Sequence, residues 1–242
     1  VGATGTENSG ADAASAAGVG GTASVTFDGA TAQTVIGNIT AGADDTGTIN
    51  VTNDLTITGN VGLVGATADI ADLKISDGKS LTITGTVDVV DLTLGSSTGT
   101  GTQAVTFKGA TVVINDLILF HDAANATRSI TFDASNNDIS ATVAISTSTT
   151  DTGDTNNISF IGGTTNTTTY NSAIVTADEI DSILVGSSTQ AGKAELRMAT
   201  AVTAYTLNDT AGSSTLSFNA TEGAKAIAGT INGTAAGKGT LS

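Results

Sequence analysis

The chain has 242 residues, and 8 Lys plus Arg stand against 23 Asp plus Glu, a formal net charge of −15. A surface of that sign has no electrostatic hold on phosphate backbones and is repelled by an anionic leaflet, which excludes nucleic acid as a partner. Cys is absent and no run of 18 apolar residues occurs, which excludes a disulfide scaffold, thiolate metal sites and a transmembrane helix.

Composition also sets the fold class. The hydrophobic fraction is 39%, yet aromatics are 3% and there is one Met, so a core must be built from Val, Ile, Leu and Ala. Thr supplies about one residue in five, Gly is 30 of 242 and Pro is absent. Gly and β-branched residues are weak helix formers, whereas slender β-branched side chains suit a narrow interior in which like positions stack. The expectation is an all-β chain.

Residues 1–23 are almost wholly Gly, Ala, Ser and Thr, a low-complexity N-terminal arm that buries too little to order alone. Residues 24–242 carry the strand phrases. Val25-Thr26-Phe27-Asp28-Gly29 opens a strand-turn-strand unit that continues through Thr34-Val35-Ile36 and an acidic turn at Asp44-Asp45 to Thr48-Ile49-Asn50-Val51. Leu55-Thr56-Ile57-Thr58-Gly59 then returns as Leu81-Thr82-Ile83-Thr84-Gly85.

A second phrase occurs three times: Ile70-Ala71-Asp72-Leu73-Lys74-Ile75, Val89-Val90-Asp91-Leu92-Thr93-Leu94 and Ile114-Asn115-Asp116-Leu117-Ile118-Leu119. Its apolar residues two apart mark strands with one buried face, and the spacing predicts Leu73, Ile75, Leu92, Leu94, Leu117 and Leu119 as inward positions in register. Strand phrases returning at unequal intervals, with Gly and Asn between, predict an irregular parallel β-helix, a β-solenoid. Tandem β-sandwich surface-layer domains are the alternative, since strand phrases alone do not separate the two.

Four phrases of the type apolar-Thr/Ser-Phe end in Phe107, Phe132, Phe160 and Phe218, each ring expected to close one side of a coil. Thr147–Asp154 and Gly162–Thr169 have loop composition, and Thr176 with Glu179 three residues on suggests a capped helical turn before Leu184. If the chain forms two lobes, they divide near 146–156. The last unit, Leu216-Ser217-Phe218 to Gly239-Thr240-Leu241-Ser242, repeats the opening one.

The texture of Val25–Val35, Gly47-Thr48-Ile49-Asn50-Val51 and Leu55–Gly62 resembles the passenger regions of rickettsial outer-membrane surface antigens, which are autotransporters. The resemblance implies a β-helical, surface-layer-like protein or adhesin at the cell surface, although the translocator barrel of that family has no counterpart here.

Candidate chemistry is sparse. His121 is the only His and ends an apolar strand, where a turn role is expected. Asp178 and Asp181 could pair as carboxylates for glycoside hydrolysis, but Trp is absent and only Tyr170 and Tyr205 are available as platforms. An enzyme is not expected, and no catalytic, cofactor-binding or metal-ligating residue is nominated. Structural calcium at Asp44-Asp45, Asp133–Asp138, Asp151–Asp154 or Asn208-Asp209 is weighed against the ordinary use of Asp and Asn in turns. The functional expectation is a structural subunit of an extracellular surface layer or filament, joining itself head to tail by strand addition through the arm or its adjoining strand. The alternative is an adhesin whose Thr-rich flank or loops grip a host or cell-surface ligand.

Overall fold

A computed structural model of the chain describes residues 23–65, 69–119, 125–146, 153–162, 165–174, 180–199, 204–207, 214–218, 230–233 and 239–241. The arm expected over residues 1–23 lies outside them except for Ala23, as do His121 and Asp178. The described residues contain no helix.

In chain order the strands are β1 (Ser24–Phe27), β2 (Gln33–Val35), β3 (Thr46–Val51), β4 (Leu55–Ile57), β5 (Ile70–Ile75) and β6 (Ser80–Ile83). Then come β7 (Val87–Leu94), β8 (Gly101–Phe107), β9 (Thr111–Leu119), β10 (Ala126–Asp133), β11 (Ile139–Ser146) and β12 (Thr155–Ile161). The series ends with β13 (Thr168–Ile174), β14 (Ser182–Val185), β15 (Lys193–Ala199), β16 (Ala204–Leu207), β17 (Thr215–Phe218), β18 (Thr230–Gly233) and β19 (Thr240–Leu241).

Odd-numbered strands form one sheet of ten and even-numbered strands a second sheet of nine, each in sequence order, and every pairing is parallel. Alternation between two sheets with all strands parallel is a β-solenoid. A sandwich, with its antiparallel neighbours, is excluded.

The repeated phrases align as expected. Leu73 pairs with Leu92 and Leu92 with Leu117, while Ile75 pairs with Leu94 and Leu94 with Leu119. Leu73, Ile75, Leu92, Leu94 and Leu117 are all buried. In the second sheet Leu55 pairs with Leu81, and Ile57 with Ile83, so the two Leu-Thr-Ile-Thr-Gly copies lie on adjacent rungs. Their glycines are demanded by the stacking: a Cβ at Gly59 would lie 2.1 Å from the Gly37 carbonyl oxygen, and one at Gly85 would lie 2.4 Å from Gly59 backbone.

The Asp-Leu phrase does more than the period of two suggests. Ile70 and Leu73 are both buried, as are Val89 and Leu92, and Ile114 and Leu117. Two residues therefore intervene between inward positions, bending each strand so that it serves two sides of the coil. The shorter side is a row begun by bridges from Ile39 to Val61 and from Val61 to Val87, continued by Val112, Ala141, Tyr170, Leu196 and Phe218.

Three of the four phenylalanines share one column. Phe107 pairs with Phe132 and Phe132 with Phe160, with ring centroids 5.7 and 5.5 Å apart, and Tyr170 meets the last two edge-on. Phe218 stands apart from that column. It lies in β17 of the first sheet, paired with Leu196, and its ring stands edge-on to Tyr205 of the second sheet.

Two local expectations are corrected. Thr168 and Thr169 open β13 instead of belonging to a loop, because Thr168 packs fully buried beside Ile139 and Ala194. Ser182–Leu184 is strand, because Ile183 fills the inward column between Ile158 and Tyr205. The capping residues of the expected helical turn lie outside the described residues.

Candidate functional site

A solenoid multiplies whatever each strand carries, because side chains on successive rungs stand about 4.8 Å apart. On the outer surface of the first sheet this multiplies charge. Asp72 pairs with Asp91 and Asp91 with Asp116, placing three carboxylates in one column. Asp72 is relieved by Lys74 at 3.2 Å and by a hydrogen bond from the Thr48 hydroxyl at 3.0 Å. Burial, and then the flanking Asp116 and Asp72, push the Asp91 carboxyl above its ordinary range, with Lys74 opposing.

A second acidic group lies where β3, β5 and β7 begin. Carboxylate oxygens of Asp44, Asp45 and Asp69 lie within 4.8 Å of one another, Asp44 and Asp45 being exposed. The buried Asp88 accepts a hydrogen bond from the Gly65 N–H at 3.3 Å. Burial raises both Asp69 and Asp88, and Asp69 is raised further by Asp88, Asp44 and Asp45. This is the one group of three or more His, Cys, Asp or Glu residues with such convergent oxygens among the described residues. Its acids repel one another, and Asp69 Oδ1 is buried without a hydrogen-bond partner.

The other acidic turns hold the backbone together. Asp138 accepts from the Thr167 N–H at 2.7 Å, and Asp181 accepts from the Asn156 N–H at 2.6 Å. Asp133 receives the Ser135 hydroxyl and lies 3.0 Å from the Lys108 amine. Burial pushes the Asp133 carboxyl up, but the bonds from Ser135 and Lys108 outweigh it, so the group lies below its ordinary range. Residues 151–152 and Asn208-Asp209 are outside the described residues.

Asp154 has gone inside. Its carboxylate accepts from Arg128 Nη1 at 2.7 Å, and both side chains are fully buried. The guanidinium also donates to the Leu94 carbonyl at 3.2 Å and the Ser96 carbonyl at 3.5 Å, so it ties the second sheet to the end of β7. Burial lowers Arg128 and Asp154 works against that fall. Gln103 and Asn156 flank Arg128 on adjacent strands, making an inward polar column in register. The Gln103 amide is fully buried and neither of its polar atoms has a partner.

The outer surface of the second sheet is different again. Thr34 pairs with Thr56, Thr56 with Thr82, Thr82 with Thr106 and Thr106 with Thr131, a column of five. Ser159 and Leu184 continue it. Buried residues flank each Thr on its strand, which turns the five side chains outward. In the neighbouring column the Thr58 and Thr84 hydroxyls are spent on the Val35 and Ile57 carbonyls of the preceding rung.

A groove of about 540 Å³ lies on the first sheet toward the ends of β3, β5 and β7, lined by Asn50, Lys74, Asp77, Thr93 and Ser96 among others. Asp77 is occupied there, accepting from both the N–H and the hydroxyl of Ser96. No protein-family model, curated protein or solved structure matches this chain.

Proposed function

We propose that the chain is a structural subunit of an extracellular surface layer or filament, joined head to tail. The observation that carries this reading is the relation between the two ends of the described stack. Val25 pairs with Ile49 in the opening unit and Leu216 pairs with Leu241 in the closing one, in the same parallel sense. Among the described residues, strands β1 and β19 each have one neighbour in the first sheet. In an all-parallel sheet the free edge of the last strand complements that of the first, so a second copy translated along the axis continues the ladder. Such a contact is heterologous and does not close on itself, which gives a row or filament.

Apolar side chains near these ends favour an occupant. Leu241 is 48% exposed on β19, and Ile231, which is 36% exposed on β18, pairs with Tyr205. A stretch so rich in stacked Val, Ile and Leu gains by covering its terminal layer, as repeat proteins do with caps or partners. Sedimentation velocity and negative-stain microscopy of the purified chain test the reading. Rods that lengthen with concentration are expected. A dispersed monomer that binds cells would replace the building block with an adhesin.

A further inference from the structure

We propose that the outer face of the second sheet docks laterally against the same face of a second copy of this chain. This goes beyond end-to-end joining and does not depend on it, since it uses a side of the solenoid and not its ends.

Charge selects the face. The chain carries a net charge of −15, and two copies approaching by their Asp72, Asp91 and Asp116 columns would meet like charges. On the second sheet, the outward positions from β2 to β12 are Thr, Ser, Asn and Ala with one Ile. The exception is Asp133 at the end of β10, which is buried and paired with Lys108. Asp54, exposed just before β4, is the other acid on this side, accepting from the N–H and the hydroxyl of Ser80, so copies meeting here oppose fewer carboxylates than on the first sheet.

Chemistry and spacing select the partner. Among the described residues no hydrogen bond engages the hydroxyls of Thr34, Thr56, Thr82, Thr106 and Thr131, whereas those of Thr58 and Thr84 donate to backbone carbonyls. Each offers a donor, an acceptor and a methyl group at every rung. A partner that satisfies all five must repeat with the same period, and a second copy of the same column does so by identity. Carbohydrate is the poorer fit, because Trp is absent and Tyr170 and Tyr205 are buried, leaving no exposed ring of those types as a platform. Six strands, β2 to β12, at about 4.8 Å and one to three outward positions wide make a face of roughly 25 by 15 Å, smaller than a standard specific interface. The contact is therefore weak between single molecules and strengthened along rods by multivalency.

Three variants test it. The chain has no Cys, so Thr82→Cys on the docking face and Thr93→Cys on the first sheet each introduce a single thiol. Thr82→Cys is expected to form disulfide dimers about tenfold faster than Thr93→Cys, through the raised effective concentration at the contact. The double variant Thr56→Glu with Thr106→Glu, whose carboxylates stand two rungs apart, is expected to keep its thermal transition and its end-to-end joining while losing lateral pairs in cross-linking. Equal oxidation rates for the two Cys variants would overturn the proposal, as would undiminished lateral pairing in the Glu variant. If the Glu variant pairs normally but loses retention on insoluble polysaccharide, the face belongs to a sugar polymer and the proposal fails.

Discussion

The two sheets handle polarity in opposite ways. The first carries carboxylates outside, in the column Asp72, Asp91 and Asp116, over the apolar layer of Leu73, Leu92 and Leu117. The second is nearly uncharged outside, over Thr34 to Thr131, and keeps an ion pair inside, between Arg128 and Asp154. Stacking explains why the difference matters. A hydroxyl repeated on every rung costs nothing, whereas a carboxylate repeated on every rung is repelled by the one before and the one after. Inside, the balance reverses, because a buried charge survives only with a partner and hydrogen bonds around it.

The sharpest way to break the comparison is to move an acid from outside to inside on one strand. Leu92→Asp shifts the tolerated carboxylate of Asp91 by a single residue into a position with 0% exposure. An unpaired buried carboxylate should abolish the cooperative thermal transition. Retention of a transition near that of the wild type would place Leu92 at the surface.

The second sheet is tested from within. Arg128→Met leaves Asp154 buried without its cation and is expected to cost about 3–5 kcal/mol in denaturant unfolding. The double variant Arg128→Met with Asp154→Leu should recover most of that loss, ending within about 1–2 kcal/mol of the wild type. Equal destabilisation by the single and double variants would show that the pair is not the unit that matters.

A smaller effect is expected outside the first sheet. A carboxyl raised in the folded state binds more protons there than in the unfolded chain, so its favourable contribution is present below the unfolded value of about 3.9 and is lost as pH rises through the folded value. Asp91 is such a group. Asp91→Asn is therefore expected to stabilise the chain by about 0.5 kcal/mol at neutral pH, the scale of a like-charge cross-strand pair. The advantage should vanish on acidification below that window. Asp133 has the opposite sign, so its contribution is lost as pH falls. Thermal melts across the acid range separate the two.

The ladder was legible because the Asp-Leu and Leu-Thr-Ile-Thr-Gly phrases each bring one residue type to the same side on successive rungs. The bend between Ile70 and Leu73 was harder to see, since a strict period of two hides a pair of successive outward residues. The interior ion pair had a signal that went unused. Gln103, Arg128 and Asn156 each precede two inward residues at steps of two, ending in Phe107, Phe132 and Phe160, so their parity already placed them inside. Asp154 had no such signal, because it lies before its strand and its turn composition reads as a surface loop. The Asp44, Asp45 and Asp69 group is split across two rungs, and only the coil brings it together.

The central claim is that copies continue one parallel ladder from β19 to β1, and a directed cross-link tests it most closely. Thr240 stands in the last rung where Thr48 stands in the second, and Ser24 precedes Thr48 by one rung. A copy carrying Thr240→Cys should therefore meet a copy carrying Ser24→Cys at about 4.8 Å between strands, within disulfide reach. Mixing the two single-Cys chains under mild oxidation is expected to give the mixed dimer well above either homodimer. Homodimers in statistical proportion, or no disulfide at concentrations where the intact chain forms rods, would contradict end-to-end continuation of the ladder.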